Sequence, residues 1–121
     1  TGVEVSSGAI SSAISAARHA GLSRSRASFI ADDATSWARA QAPEDVPDVI
    51  VVNPPRRGIG ADLAAYLNEC DAPRVIYSSC NPASLATDLA AMPTLRPIEG
   101  RIFDMFPHTT HAEVALLLER A

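Results

Sequence analysis

The run Val75-Ile76-Tyr77-Ser78-Ser79-Cys80-Asn81-Pro82 limits the possible folds more than any other part of this chain. A short apolar stretch gives way to small polar residues and then to Asn-Pro. Asn is a good helix N-cap, and Pro suits the first helical turn, where its missing N–H costs nothing. The segment therefore predicts a strand, a tight turn carrying a thiol, and a helix on which Ser84 and Asp88 form a polar face. A thiol in that position meets unpaired N–H groups and the positive end of the helix dipole, both of which favour the thiolate.

The same order recurs along the 121 residues. Gly2 to Val5 reads as a short strand, followed by a helix capped by Ser6 or Ser7 and running to about Ala20. Ile10, Ile14 and Ala17 give that helix one apolar face, and Gly21 ends it at C′. Ala27 to Ala31 is a second strand, then Asp32-Asp33 and a helix carrying Trp37. Asp48 to Val52 is wholly apolar after its aspartate, as expected of a strand covered on both faces. The loop from Asn53 to Gly60 leads into a helix ending near Glu69. Arg74 to Ser78 precedes the thiol turn and its helix. Arg96 to Phe103 and Val114 to Glu119 close the chain as an antiparallel pair. Alternating strands and helices predict a doubly wound α/β sheet. Residues 1–121 read as one domain, with Pro43 to Pro47 as a connecting loop.

Composition excludes several classes. The formal charge of −4, with no basic run, does not suit a domain that grips a phosphate backbone by itself. Two cysteines, Cys70 and Cys80, are too few for a disulfide scaffold and lack the spacing of a zinc site. No apolar run is long enough to span a bilayer and no signal peptide is visible, so a soluble, cytoplasmic protein without a membrane partner is expected.

Two further segments carry chemistry. Asn53-Pro54-Pro55-Arg56-Arg57-Gly58-Ile59-Gly60 follows a buried strand with a stiff, extended path. It holds the Asn53 amide at the carboxyl edge of the sheet, where such folds bind ligands, and offers Arg56 or Arg57 to a phosphate. Phe103 to Glu113 contains Phe106, His108, His111 and Glu113. The histidine and glutamate spacings fit no usual zinc pattern, so no metal is expected. An aromatic beside histidines in a loop suits the wall of a base pocket instead, and Glu113, opening the last strand, suits a general base. Glu4 and Asp33 stand at the ends of the first two strands, where an acid can take a ribose diol or an adenine amine. Read alone, each is an ordinary strand-end acid or helix cap. A glycine-rich cofactor turn, which an adenosyl site needs after its first strand, is not found.

Together, NPPRRGIG, YSSCNP and FDMFPHTTHAEV resemble, in order and spacing, the RNA uracil-C5 methyltransferases that use S-adenosylmethionine. Asn before the double proline is most similar to the 23S ribosomal RNA branch, the RumB-like enzymes; relatives acting on transfer RNA usually have Asp there. The resemblance implies a Rossmann-like class I methyltransferase sheet lacking its first strand, with a C-terminal antiparallel strand pair. It implies Cys80 as the nucleophile for uracil C6 and Glu113 as the base for the C5 proton. Glu4, Asp33 and Asn53 become cofactor-binding residues, and Arg56, Arg57, Phe106 and His108 substrate-binding ones. The partner implied is RNA, specifically 23S rRNA. The family also implies an N-terminal RNA-binding part, with an iron–sulfur cluster expected only there. The chain is thus expected to be the C-terminal part of a catalytic domain, to bind cofactor poorly and to be inactive alone. Without its middle strand, either the second and fourth strands of the family sheet close the gap or two chains pair as an edge-strand homodimer. Two rivals are a non-catalytic interaction remnant and an amino-group methyltransferase of the Asn-Pro-Pro-aromatic kind, although Arg56 stands where the aromatic should be.

Overall fold

The computed structural model describes residues 1–121, which cluster into two compact units, Thr1–Gln41 and Ala42–Ala121. The division falls beside the Pro43 to Pro47 connection, part of which is a 3₁₀ turn, Pro43–Asp45.

In the first unit, β1 (Gly2–Glu4) and β2 (Phe29–Ala31) form a parallel pair, linked by α1 (Ser7–His19) and followed by α2 (Ala34–Arg39). The strands are shorter than the sequence suggests. Ser6 caps α1, its hydroxyl accepting from the Ala9 N–H at 3.2 Å. The helix ends as expected at Gly21, whose φ of 73° lets its N–H reach Arg18 while the Leu22 N–H reaches Ala17. Those two bonds satisfy carbonyls left open by the last turn. Ile10 and Ala17 are buried on the inner face.

The second unit holds a four-stranded sheet in the order β3-β4-β6-β5. β3 (Val49–Val52) and β4 (Arg74–Ser79) are parallel and joined through α3 (Ala61–Glu69). After α4 (Pro82–Ala90), β5 (Leu95–Phe103) and β6 (Glu113–Arg120) form the antiparallel pair expected at the C-terminus. β6 inserts beside β4 and leaves β5 as an edge strand, where Pro97 and an adjacent bulge are tolerated. β1 pairs with β2 within the first unit, and β3 pairs with β4 within the second.

One face of the four-stranded sheet carries the core. Val75 and Tyr77 of β4 and Leu118 of β6 are fully buried with Ala64 and Leu67 of α3, Leu85 of α4, and Met92. Ile50 and Val52 pack against this cluster. Because strand side chains alternate, Val49, Val51 and Ile76 point to the other face. Val51 is 66% exposed, against the expectation that its strand is covered on both faces. The helices of this unit cover one face only, so apolar character along β3 is not a sign of two-sided burial here.

A second correction concerns Asp88. It lies not on a polar helix face but in the core, 6% exposed. Its Oδ2 accepts from the Tyr77 hydroxyl at 2.5 Å and from the Ile59 N–H at 2.9 Å. Burial and the Asp88 bond push the Tyr77 phenol far above its ordinary range. Gly58, at φ 88°, presses so closely on the Asp88 carboxylate that a Cβ there would collide with it. Asp88 thus locks the exit of the NPPRRGIG loop to strand β4 and helix α4. At the far end of the sheet, Arg120 donates to the Leu67, Asn68 and Ala72 carbonyls, tying β6 to the end of α3.

Replacing Asp88 by Ala would leave a phenol and a backbone N–H without partners in the interior, at a cost of about 1–3 kcal/mol. The urea midpoint of Asp88→Ala is expected to fall well below that of Tyr77→Phe, which removes only one donor. Equal midpoints for Asp88→Ala and the wild type would show that Asp88 does not hold the loop.

Candidate active site

The three motifs converge at the carboxyl end of β4. Asn81 caps α4, its side-chain oxygen accepting from the Ala83 N–H at 3.1 Å, with Pro82 in the first turn. The Ser79 hydroxyl accepts from the Asn81 N–H and donates to the Asn81 carbonyl, both at 3.0 Å, closing the turn on itself. Cys80 sits one residue before the cap as a half-buried free thiol. The Asn81 amide also donates to the Arg56 carbonyl at 2.9 Å, fastening the NPPRRGIG loop to the cap.

The last motif joins from β6. β4 and β6 are antiparallel, with Ser78 opposite Ala115 and Ser79 opposite Val114. β4 ends at Ser79 and β6 opens at Glu113, so Cys80 follows β4 directly where β6 begins. Alternation puts Ser78, Glu113 and Ala115 on the sheet face away from the helices. There the Ser78 hydroxyl donates to Glu113 Oε1 at 2.5 Å. Phe103 pairs with Glu113 from the other side, on β5.

Arg56 Nη1 lies 3.0 Å from His111 Nδ1. A guanidinium can only donate, so Nδ1 accepts and the imidazole proton is on Nε2. His111 therefore meets an arginine and Glu113 meets a serine, and no three His, Cys, Asp or Glu side chains gather as metal ligands. Arg57 and Asn53 are exposed, Asn53 directly after β3. Phe106 is 48% exposed and accepts at its carbonyl from Thr109. His108 between them has φ 67°, a left-handed conformation uncommon outside glycine.

In the first unit, Glu4 ends β1 and its Oε1 accepts from the Ser6 N–H at 3.0 Å. Asp33 caps α2 by accepting from the Ser36 N–H at 2.8 Å. The Ser36 backbone and hydroxyl hold the Asp33 carboxyl below its usual range, keeping it an acceptor. Both acids stand at carboxyl ends of parallel strands, where a ribose diol and an adenine amine need acceptors.

Sequence reasoning missed three contacts: Asn81 to Arg56, Arg56 to His111 and Ser78 to Glu113.

The profile of the tRNA (uracil-5-)-methyltransferase family matches residues 45–121. The chain belongs to that family. It is 45% identical over 121 residues to the 23S rRNA (uracil(747)-C(5))-methyltransferase RlmC of Pectobacterium atrosepticum, covering all of this chain and 31% of that protein. The Escherichia coli protein of the same name is 49% identical over 119 residues, 98% of this chain and 30% of its own length. The chain therefore spans about a third of the relatives it matches, and their names agree with the ribosomal branch expected from Asn53. A Pyrococcus abyssi tRNA (uracil-54, C5)-methyltransferase, solved with S-adenosyl-L-homocysteine, superposes with a TM-score of 0.83 at 28% identity, over 97% of this chain and 27% of that one. TrmN from Thermus thermophilus, at 21% identity and a TM-score of 0.67, shares the class I methyltransferase fold. The expected α/β methyltransferase architecture is thus present.

Asn81 both caps a helix and holds a loop, so Asn81→Ala is expected to cost about 1–2 kcal/mol in stability. In amide hydrogen exchange Ala83 should lose protection. If Ala83 keeps its wild-type exchange rate, the side-chain cap does not exist in solution.

Proposed function

We propose that this chain carries the nucleophile and the base of an enzyme that methylates C5 of a uridine in 23S rRNA. The carrying observation is that Cys80, directly after β4, and Glu113, opening the adjacent strand β6, belong to one cluster built from all three motifs. In this reading the Cys80 thiolate adds to uracil C6, and the ring electrons displaced by the new S–C6 bond collect at C5. S-adenosylmethionine, when bound, supplies an electrophilic sulfonium methyl for that carbon. Glu113 then takes the C5 proton, the freed pair restores the C5–C6 double bond, and the C6–S bond breaks to return the Cys80 thiolate. A soft sulfur nucleophile suits an electrophilic alkene carbon, and splitting the substitution into addition and elimination lowers each barrier.

Glu4 and Asp33 are assigned the ribose and adenine sides of the cofactor, and Asn53 the methyl-donor side facing the target base. Arg57 and Phe106 are assigned to the RNA, one for phosphate and the other for stacking, with His108 in the same loop. Arg56 acts in RNA binding through His111, its guanidinium being engaged there. The same contact disfavours the amine-methylating rival, whose motif needs an aromatic side chain at that position. An iron–sulfur cluster would need cysteines beyond this chain, because Cys70 is buried and Cys80 has another role. A 23S rRNA substrate would place the protein in the cytoplasm, and no helix is long and apolar enough to cross a membrane. β3 pairs on one side only, and its open edge suits pairing with a second copy, within a partial catalytic domain formed by residues 1–121.

The test is a chimera in which this chain replaces the matching 30% of the Escherichia coli relative. Labelled methyl from S-adenosylmethionine should enter unmodified 23S rRNA, and Cys80→Ala should lower turnover roughly 10³-fold or more. Glu113→Gln should leave a protein–RNA adduct visible on a denaturing gel. An inactive chimera would favour the interaction remnant, and full labelling by Cys80→Ala would overturn the covalent mechanism. For the homodimer, sedimentation equilibrium of the 121-residue chain should give twice its mass of 12.7 kDa. A monomer throughout the micromolar range would exclude edge pairing.

A further inference from the structure

The Ser78 hydroxyl is the one polar group that touches the assigned base, and the reaction just described gives it no task. We propose that Ser78 is a positioning residue that orients Glu113 for removal of the C5 proton, a role that rests on the function proposed above. It stands on β4 two residues before Cys80, which follows the last residue of that strand, so the anchor of the base and the nucleophile are close along the chain. The residue directly across from Ser78 is Ala115, which leaves room for Glu113 to lean along the sheet. The resulting bond is a diagonal cross-strand pair, from Ser78 Oγ to Glu113 Oε1 at 2.5 Å.

A glutamate has three side-chain torsions, and at a strand end, unanchored, it samples many of them. Fixing Oε1 leaves Oε2 as the atom free to meet the substrate. When the C5 proton arrives on Oε2, the Ser78 bond to Oε1 stays in place, so the carboxyl group need not turn during the step. Orientation matters here because misplacement by about 1 Å costs on the order of 10²-fold.

The order of events separates this role from a general structural one. Glu113 acts only after the S–C6 bond has formed and C5 carries its methyl group. Loss of Ser78 should therefore leave adduct formation near its wild-type rate and slow adduct breakdown. The experiment uses the chimera with a 23S rRNA transcript, following adduct and product by rapid quench for the wild type, Ser78→Ala, Ser78→Thr and Glu113→Gln. For Ser78→Ala, breakdown should slow roughly 10- to 100-fold, with KM for RNA nearly unchanged and adduct accumulating toward the Glu113→Gln level. Ser78→Thr keeps a hydroxyl and should restore breakdown. Breakdown in Ser78→Ala as fast as wild type or faster, or equal slowing of formation and breakdown, would overturn the assignment. So would failure of Ser78→Thr to rescue. If the wild-type chimera forms no adduct while remaining folded, the function itself fails, an outcome distinct from a defect confined to Ser78→Ala.

Discussion

The antiparallel pairing of β4 with β6 links the core to the site. On one face it buries Val75, Tyr77 and Leu118 beneath α3 and α4. On the other it brings Ser78, Ala115 and Glu113 together, with Cys80 directly after the last residue of β4. A register slip of one residue would turn every side chain of β6 to the opposite face. Leu118 would leave the core and Glu113 would enter it. The apolar face therefore enforces the geometry of the polar one, and the burial that stabilises the unit also sets the spacing of its reactive groups.

The loop after β3 is held by a different device. Its middle is fastened by side chains from both sides: Asn81 donates to the Arg56 carbonyl, and His111 accepts from the Arg56 guanidinium. Its exit is fastened by Asp88, which needs glycine at position 58 because the carboxylate occupies the space a Cβ would fill. Asp88 and Asn81 lie on the same helix, one at its cap and the other two turns later. A short helix thus anchors a proline-stiffened loop at two points, and the double proline reduces the entropy lost in fixing it.

Much of this was legible in the sequence. Strand–helix alternation, the Ser6, Asp33 and Asn81 caps, the Gly21 stop and the final strand pair all rest on local signals, and each stands where those signals put it. The misreadings have physical causes. Val49 to Val52 was read as covered on both faces because hydrophobicity reports what a strand can tolerate, whereas the cover comes from elements far away in sequence. Asp88 was read as solvated because acids rarely enter cores without partners. Helical spacing from Leu85 and to Met92, both buried, placed it on the inner face all the same. Its partners, Tyr77 and Ile59, lie 11 and 29 residues away, beyond any local pattern.

At the site, the motifs were legible in the sequence and the contacts between them were not. Cys80 and Glu113 stood out by their motifs, but the 32 positions between them say nothing about contact. Their placement depends on β6 inserting between β4 and β5 instead of adding at the edge. Had the final strands followed chain order, β5 would lie beside β4 and Phe103 would be nearer to Cys80 than Glu113 is. The return of the last strand to the middle of the sheet brings Glu113 beside the end of β4, and β5, left outside, contributes Phe103 beside Glu113. The order of the last two strands therefore decides which side chains meet the end of β4.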